Sequence, residues 1–301
     1  MIVGATASGK SAIALEVARR RTGIELVSMD SMALYRGMDI GTAAPTAADC
    51  AEVPHHLLDL VDPTEDFTVS DFQVAAREAL AGMADRGSRA VLVGGTGLHV
   101  RAVVDDLEIP GRYDEVRAAL EVDDDTSGLY ARLVALDPVA AGRMEATNRR
   151  RVVRALEVTL GSGRPFSSFG PGLEAYPATP FTQVGLRVDR EVMDRRIAER
   201  YQRQLDDGFL DEVRALEGLD RGLSRSAAQA LGYKELLAHL RGDCTLEDAV
   251  SDAVVATQRF ARRQERWFRR DPRIEWFDVA DDPLEALNEV LERFDRCGAP
   301  G

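Results

Sequence analysis

The residues best suited to chemistry open the chain. Gly4-Ala5-Thr6-Ala7-Ser8-Gly9-Lys10-Ser11 follows the short apolar run Met1-Ile2-Val3 and leads into a helical pattern. A Gly-x-x-x-x-Gly-Lys-Ser spacing between a strand and a helix suits a polyphosphate. The glycines let the backbone curl so that successive N–H groups face one anion, and the helix N-terminus adds partial positive charge. Lys10 supplies a point charge to the phosphates, and Ser11 supplies a hydroxyl for Mg2+. Lysine is otherwise scarce: of 38 basic residues only Lys10 and Lys234 are lysines. The motif specifies a polyphosphate and a metal without saying which polyphosphate.

Other positions fit the same neighbourhood. Asp30 ends the apolar run Ile24 to Met29, at the carboxyl edge where α/β sheets place ligands. A carboxylate there holds a metal, takes a proton from a nucleophile or caps a turn. The run Ala90 to Val93 stops at Gly94-Gly95-Thr96-Gly97. It therefore lacks the metal-holding carboxylate expected of many phosphate-loop hydrolases. Thr96 either contacts a ligand or satisfies local backbone. Arg196 and Arg200, four apart on a helical segment, share a face, as ligand contacts or as solvated charges. His55 and His56, read on a helix, point apart and have no third ligand near in sequence, so packing or hydrogen bonding is expected rather than metal binding.

These positions need a scaffold, and the first hundred residues provide alternating signals for one. Ser11 to Arg21 reads as a helix, Ile24 to Met29 as a strand, and Thr68 with Asp71 as a capping box opening a helix to about Arg86. Ala90 to Val93 has the pattern of a buried parallel strand. The middle of the chain changes to short helices, with Asn148 capping Arg149 to Leu160 and Gly161-Ser162-Gly163 ending it. Thr182 to Val188 then returns as a strand. Helices are expected at about Glu191 to Leu205, Leu210 to Leu216, Tyr233 to Leu240 and Leu246 to about Arg269, before a last strand at Ile274 to Phe277. The expected architecture is α/β: a P-loop NTPase-like parallel sheet flanked by helices, formed by residues 1–109 and 179–301, with an all-helical subdomain inserted at 110–178.

The 301 residues carry 51 acidic and 38 basic side chains, a net charge of −13. That balance excludes a surface that coats nucleic acid or anionic membrane indiscriminately. The charge is uneven, however. Residues 143–154 hold five arginines against one glutamate. Residues 255–270 hold six against one, interleaved with Phe260, Trp267 and Phe268. Arginine forks match phosphates and aromatic planes can stack bases, so both clusters are candidate RNA faces. Cys50, Cys244 and Cys297 are scattered and odd in number, which fits neither a disulfide framework nor a zinc site. No apolar run reaches the roughly 20 residues that span a bilayer, and the N-terminus lacks signal-peptide character. A cytoplasmic monomer without a membrane partner is expected.

Seven segments, in order, carry a family resemblance. They are Asp30-Ser31-Met32 with Leu34 to Ala43, Pro54 to Asp59, Phe67 to Ala76, Gly94 to Leu98, Arg150 to Val158, Gly232 to Leu236, and Ala256 to Arg270. Together they resemble the tRNA dimethylallyltransferases, also called tRNA isopentenyltransferases. The resemblance implies transfer of a five-carbon group from dimethylallyl diphosphate to N6 of adenosine 37, beside the anticodon of tRNAs reading codons that begin with U. The products are N6-isopentenyladenosine and diphosphate, with Mg2+ as cofactor. It implies that Gly4, Ala5, Thr6, Ala7, Ser8, Gly9, Lys10 and Ser11 hold the donor diphosphate rather than ATP. Lys10 supplies charge and Ser11 holds the metal, while Asp30 takes the proton of the adenine amino group. Thr96 contacts the diphosphate or the attacking base, and Arg196 or Arg200 reaches the diphosphate.

The implied tRNA contacts are Asp30, Ser31, Met32 and Ala33, with Arg150, Arg151 and Arg154 in the inserted helices and Arg259, Arg262 and Arg263 on the long helix. A single-stranded anticodon loop lets the target base leave its stack cheaply. The sequence departs from the family at Ala5 (usually proline), Ala33 (glutamine), Ala44 (lysine) and His99 (tyrosine); Ala33 bears on RNA recognition. The opening strand is shorter than the family's, so the start is expected upstream. A P-loop kinase of a small metabolite or nucleotide shares the fold and loop, predicts ATP turnover and needs no basic helix. A nucleotide-dependent RNA-binding module leaves Asp30 and Thr96 without a role.

Overall fold

A computed structural model describes residues 1–297 as two compact units, Met1–Val104 with Ala178 onward, and Asp105–Pro177. The first unit is built on six strands. Its N-terminal part runs β1 (Ile2–Gly4), α1 (Lys10–Arg20), β2 (Ile24–Ser28), α2 (Ala47–Glu52), β3 (His55–His56), α3 (Val69–Asp85), β4 (Arg89–Gly94) and α4 (Gly97–Val104). The strand order is β3-β2-β4-β1-β5-β6, with every pairing parallel; β5 and β6 come from the C-terminal half. Ile2, Val3, Leu26, Val27, Val91 and Leu92 are buried, as expected of strands covered on both faces. Parallel pairing puts Gly4, Ser28 and Gly94 at one edge, so the three loops with candidate chemistry emerge together. Gly94 is required there: a Cβ would stand 2.5 Å from the Met29 carbonyl oxygen.

The second unit holds α5 (Asp114–Glu121), α6 (Thr126–Leu136), α7 (Pro138–Ala141) and α8 (Arg149–Ser162). Leu120, Leu129, Leu133, Val152 and Leu156 form its own apolar core. Asn148 caps α8 by accepting from the Arg151 N–H, and Gly163 ends it in the left-handed conformation. Two carboxylates of this unit are buried, Asp137 at the start of α7 and Glu157 on α8. Glu157, 1% exposed, accepts from the Tyr113 N–H at 3.0 Å and pairs with Arg154 and Arg117. Arg154 also donates to the Pro110 carbonyl at 2.8 Å. The guanidinium of Arg154, one of the expected RNA contacts, is thus paired with a buried carboxylate inside its own unit. Arg150 and Arg151 are exposed.

The C-terminal half returns to the first unit with β5 (Gln183–Val188), α9 (Arg190–Asp206), α10 (Phe209–Glu217), α11 (Tyr233–Leu240), α12 (Leu246–Phe268), β6 (Ile274–Val279) and α13 (Leu287–Arg296). Thr68 and Asp71 form the anticipated capping box of α3. Four elements differ from the sequence reading. The histidine pair is the edge strand β3 and not part of a helix. His56 Nε2 lies 2.6 Å from Glu25 Oε2, and His55 Nδ1 lies 2.7 Å from the Val53 carbonyl, so both are satisfied by hydrogen bonds. α2, α4 and α13 were unanticipated; α13 buries only Leu287, Val290 and Leu291. Among the described residues no helix is long and apolar enough to cross a membrane.

Replacing Arg154 by Met leaves Glu157 buried with Arg117 and one N–H as partners. Chemical denaturation is expected to show a loss of about 1–3 kcal/mol. The exposed Arg151→Met is expected to stay within about 0.5 kcal/mol. Equal effects would show that the Glu157 pairing does not hold the unit together.

Candidate functional site

The phosphate loop runs from β1 to α1. Ala7 and Gly9 adopt left-handed φ values of 62° and 89°, and at Gly9 a Cβ would come within 2.2 Å of the Pro283 ring. Gly9 thus meets two demands that only glycine satisfies easily. α1 begins with no side-chain cap and no acidic residue in its first turn. Its leading N–H groups are therefore available to an anion. Ser8 is buried with its Oγ unpartnered among the described residues. Lys10 Nζ donates to the Ala5 carbonyl at 2.7 Å. Burial pushes the Lys10 ammonium down to about 8; the Asp30 carboxylate opposes the shift, and the Arg200 guanidinium adds to it.

α9 places both candidate arginines against this loop, so neither is a free solvated charge. They do different things. Arg196 donates to the carbonyls of Ala7 (3.2 Å), Ala280 and Asp281 (both 2.9 Å). It ties the loop to the segment after β6. Arg200 donates to Thr6 Oγ1 at 2.9 Å, and its Nε is sealed from water without a partner among the described residues. The unused donor is on Arg200.

Asp30 follows β2. Its Oδ1 accepts from the Met32 N–H at 2.8 Å and the Ala33 N–H at 3.4 Å, which fixes the carboxylate by a local turn. Thr96 Oγ1 accepts from the Ser31 N–H at 3.3 Å and donates to Ser31 Oγ at 3.4 Å. Thr96 thus braces the Asp30 turn from the neighbouring loop. Ala33 is 6% exposed, so the side chain expected to meet RNA is in the core, while Ser31 and Met32 are half-buried. Behind the turn His99 packs edge-on against Phe72, with ring centroids 4.5 Å apart. Burial lowers its imidazole to about 4 against the pull of Asp30, so it is neutral at ordinary pH.

Three residues missed in the sequence hold this arrangement. Gln264 of α12 accepts from the Thr6 N–H and donates to the Gly95 carbonyl, both at 2.8 Å. Glu212 of α10 accepts from the N–H groups of Asp39, Ile40 and Gly41 at 2.8–3.1 Å and from the Tyr233 hydroxyl at 2.6 Å. Gln204 of α9 donates to the Ile40 and Gly41 carbonyls. The Gly232 to Leu236 segment therefore supports the loop after Asp30 through Tyr233, whereas Lys234 is exposed. No local spacing announces these partners, which lie 150 or more residues from the loops they hold.

α12 buries Ala249, Ala253, Thr257, Ala261, Gln264 and Phe268 along one face. Arg259, Arg263 and Arg266 are exposed on another, with Arg263 over the Phe260 ring, 5.6 Å from its centroid. Arg262 is turned aside, 3.8 Å from Asp194. Trp267 and Phe268 belong to the packing: Trp267 lies against Gly97, where a Cβ would come within 2.3 Å of the indole. The fold and site thus define a P-loop protein whose anion loop faces a fixed carboxylate.

Comparison with known proteins narrows the class. The family profile described as IPP transferase matches residues 33–271, and one described as isopentenyl transferase matches residues 1–60. A tRNA dimethylallyltransferase of Pseudarthrobacter chlorophenolicus is 47% identical over 288 residues, 95% of each chain. The crystal structure of a Bacillus halodurans tRNA isopentenylpyrophosphate transferase is 37% identical, with a TM-score of 0.72 over 98% of this chain and 95% of that one. The structure of a Staphylococcus epidermidis tRNA delta(2)-isopentenylpyrophosphate transferase is 29% identical, with a TM-score of 0.69 over 98% of both. The chain belongs to the IPP transferase family.

The depressed Lys10 gives a signed expectation. An anion in the loop favours the ammonium, so inorganic pyrophosphate binding takes up a proton near and above pH 8 and weakens as pH rises through that value. Calorimetry in buffers of different ionisation enthalpy measures the uptake. Lys10→Arg cannot titrate in this range and supplies the baseline for the ligand's own protons. Identical pH dependence in both proteins would contradict the assignment.

Proposed function

We propose that this protein transfers the dimethylallyl group of dimethylallyl diphosphate to N6 of adenosine 37 in tRNAs reading codons that begin with U. The observation that carries the reading is the pairing of one anion site with one fixed carboxylate. The uncapped start of α1, Lys10 and Arg200 gather positive charge at the loop, and Asp30 stands at the end of the neighbouring β2–β4 pair.

The chemistry follows from that pairing. N6 of the extruded adenine attacks the allylic C1, the C1–O bond breaks, and its electron pair leaves with the diphosphate. The departing charge is met by the loop of Gly4 to Ser11, whose Thr6 N–H alone is engaged by Gln264, by Lys10 and by the unused donor of Arg200, all in place before reaction. The N6 proton passes to Asp30 on Oδ2, since Oδ1 is engaged by the turn. Thr96 and Ser31 hold that turn, and Arg196 fixes the loop's carbonyl side. The Ser11 hydroxyl, at the start of α1 beside the phosphate loop, would hold Mg2+ together with the bound diphosphate. Bound there, the metal neutralises charge on the leaving diphosphate.

The tRNA contacts fall to Ser31, Met32, Arg150, Arg151, Arg259 and Arg263, with Arg266 added by its exposure. Residues 110–178 act as a tRNA-binding subdomain on the 1–109 and 179–301 core. The protein works as a cytoplasmic monomer. A small-metabolite kinase reading is not favoured, because the relatives are tRNA dimethylallyltransferases.

Asp30→Asn keeps an oxygen for the Met32 N–H but removes the base. Transfer, followed by nucleoside mass analysis, is expected to fall on the order of 10²–10⁴-fold, with tRNA affinity within threefold. Equal loss of binding would reassign Asp30 to recognition. Replacing Arg259, Arg263 and Arg266 together by Gln should weaken tRNA binding and flatten the slope of log affinity against log salt by about 2. An unchanged slope would remove α12 from the RNA face.

A further inference from the structure

Gln264 occupies an unusual place for an uncharged side chain. It lies on the buried face of α12, 8% exposed, one residue from the exposed Arg263 and two from Arg266. Its amide spans two loops that leave different strands. The Oε1 accepts from Thr6 N–H of the phosphate loop, and the Nε2 donates to the carbonyl of Gly95, immediately before Thr96. The backbones have closed around it: a Cβ on Gly95 would stand 2.4 Å from Nε2 and 3.0 Å from the Gly4 carbonyl oxygen.

The bridge needs one acceptor and one donor at the tip of a side chain of this length. Asparagine is too short, ionised glutamate has no donor, and methionine has neither. The bridge also takes the Thr6 N–H out of the set of donors open to an anion, so it is not a ligand contact in disguise. What it fixes is separation. Thr6 is bonded to Arg200, and Thr96 is bonded to the Asp30 turn. The distance between the diphosphate end and the proton-accepting end of the site therefore runs through Gln264.

We propose that Gln264 is the positioning residue that sets the phosphate loop against the Thr96–Asp30 turn, so that N6 and the allylic C1 meet at attacking distance. This rests on the prenyl-transfer reading above. Gln264 touches neither substrate. Misplacement of reacting groups by about 1 Å costs on the order of 100-fold in rate, and loss of either half of the amide frees the two loops to shift by such amounts.

Gln264→Glu provides a test with a signature that general loosening lacks. A protonated glutamic acid is the isostere of glutamine here: its carbonyl accepts from Thr6 N–H and its hydroxyl donates to the Gly95 carbonyl. Ionised, it has no donor and puts negative charge beside the diphosphate. Single-turnover transfer from dimethylallyl diphosphate to an anticodon stem-loop is measured between pH 5.5 and 8.5 for wild type, Gln264→Glu and Gln264→Met, each rate taken as a ratio to wild type at the same pH. The glutamate variant is expected to be slowed on the order of 100-fold at pH 8.5 and to recover at least tenfold relative to wild type by pH 5.5. The methionine variant is expected to show a constant deficit. KM for both substrates and the melting temperature should change little beside kcat.

A glutamate variant within twofold of wild type throughout would overturn the proposal. So would glutamate and methionine deficits that are equal at every pH and parallel to a fall in melting temperature, since Gln264 would then be packing alone. Wild-type protein that transfers nothing overturns the prenyl-transfer reading itself. A normal wild type beside normal variants overturns only the role of Gln264.

Discussion

Positive charge gathered at the end of one short strand is the constraint on which the rest of this structure depends. The α1 N-terminus, Lys10 and Arg200 converge on the phosphate loop, with Asp30 as the carboxylate that opposes the burial shift of Lys10. Lys10 donates to the Ala5 carbonyl, and burial, with a smaller push from Arg200, makes it hold its proton less firmly. An anion relieves this imbalance directly. A leaving diphosphate does so most as its charge develops, which is the condition for stabilising a transition state over a bound substrate.

The scaffold exists to hold three loops at one sheet edge with little freedom. Parallel pairing of β2, β4, β1 and β5 delivers them to the same edge, and glycines at 94 and 97 let neighbouring groups approach where any side chain would collide. Side chains from the C-terminal half then lock each loop: Arg196 the phosphate loop, Gln264 that loop to the Thr96 loop, and Glu212 with Gln204 the segment after Asp30. The same half presents Arg259, Arg263 and Arg266 outward, so one helix carries both exposed arginines and the Gln264 bridge.

Much of this was legible in the sequence because the signals are local. The loop spacing, the Thr68–Asp71 capping box, the Asn148 cap and the apolar runs of β2 and β4 each depend on a few adjacent residues, and each forms as read. What stayed hidden depends on contacts distant in sequence. Glu157 stands only three residues from Arg154 on α8, but its burial, which makes it claim that guanidinium, comes from packing by the other helices of the unit, and nothing near Arg196 separates it from Arg200 before Ala280 and Asp281 arrive. β3 is only two residues long and is made a strand by its neighbour β2. α13 is the exception: Leu287, Val290, Leu291 and Phe294 stand at the spacing of one helical face, a local signal that the sequence reading passed over. The net charge of −13 misled only as a sum: residues 101–130 and 271–301 each hold nine acidic against three basic side chains, whereas residues 255–270 hold six arginines against one glutamate.

In the proposed reaction the phosphate loop serves a prenyl leaving group and not a nucleotide. This is tested most directly by following both fates of the loop's ligand in one reaction. The protein is mixed with Mg2+, unmodified tRNA, dimethylallyl diphosphate and ATP; released pyrophosphate, hydrolysed ATP and modified nucleosides are then counted together. One isopentenyladenosine per pyrophosphate released, with ATP untouched, is the expected result. Steady ATP turnover without isopentenyladenosine would contradict it.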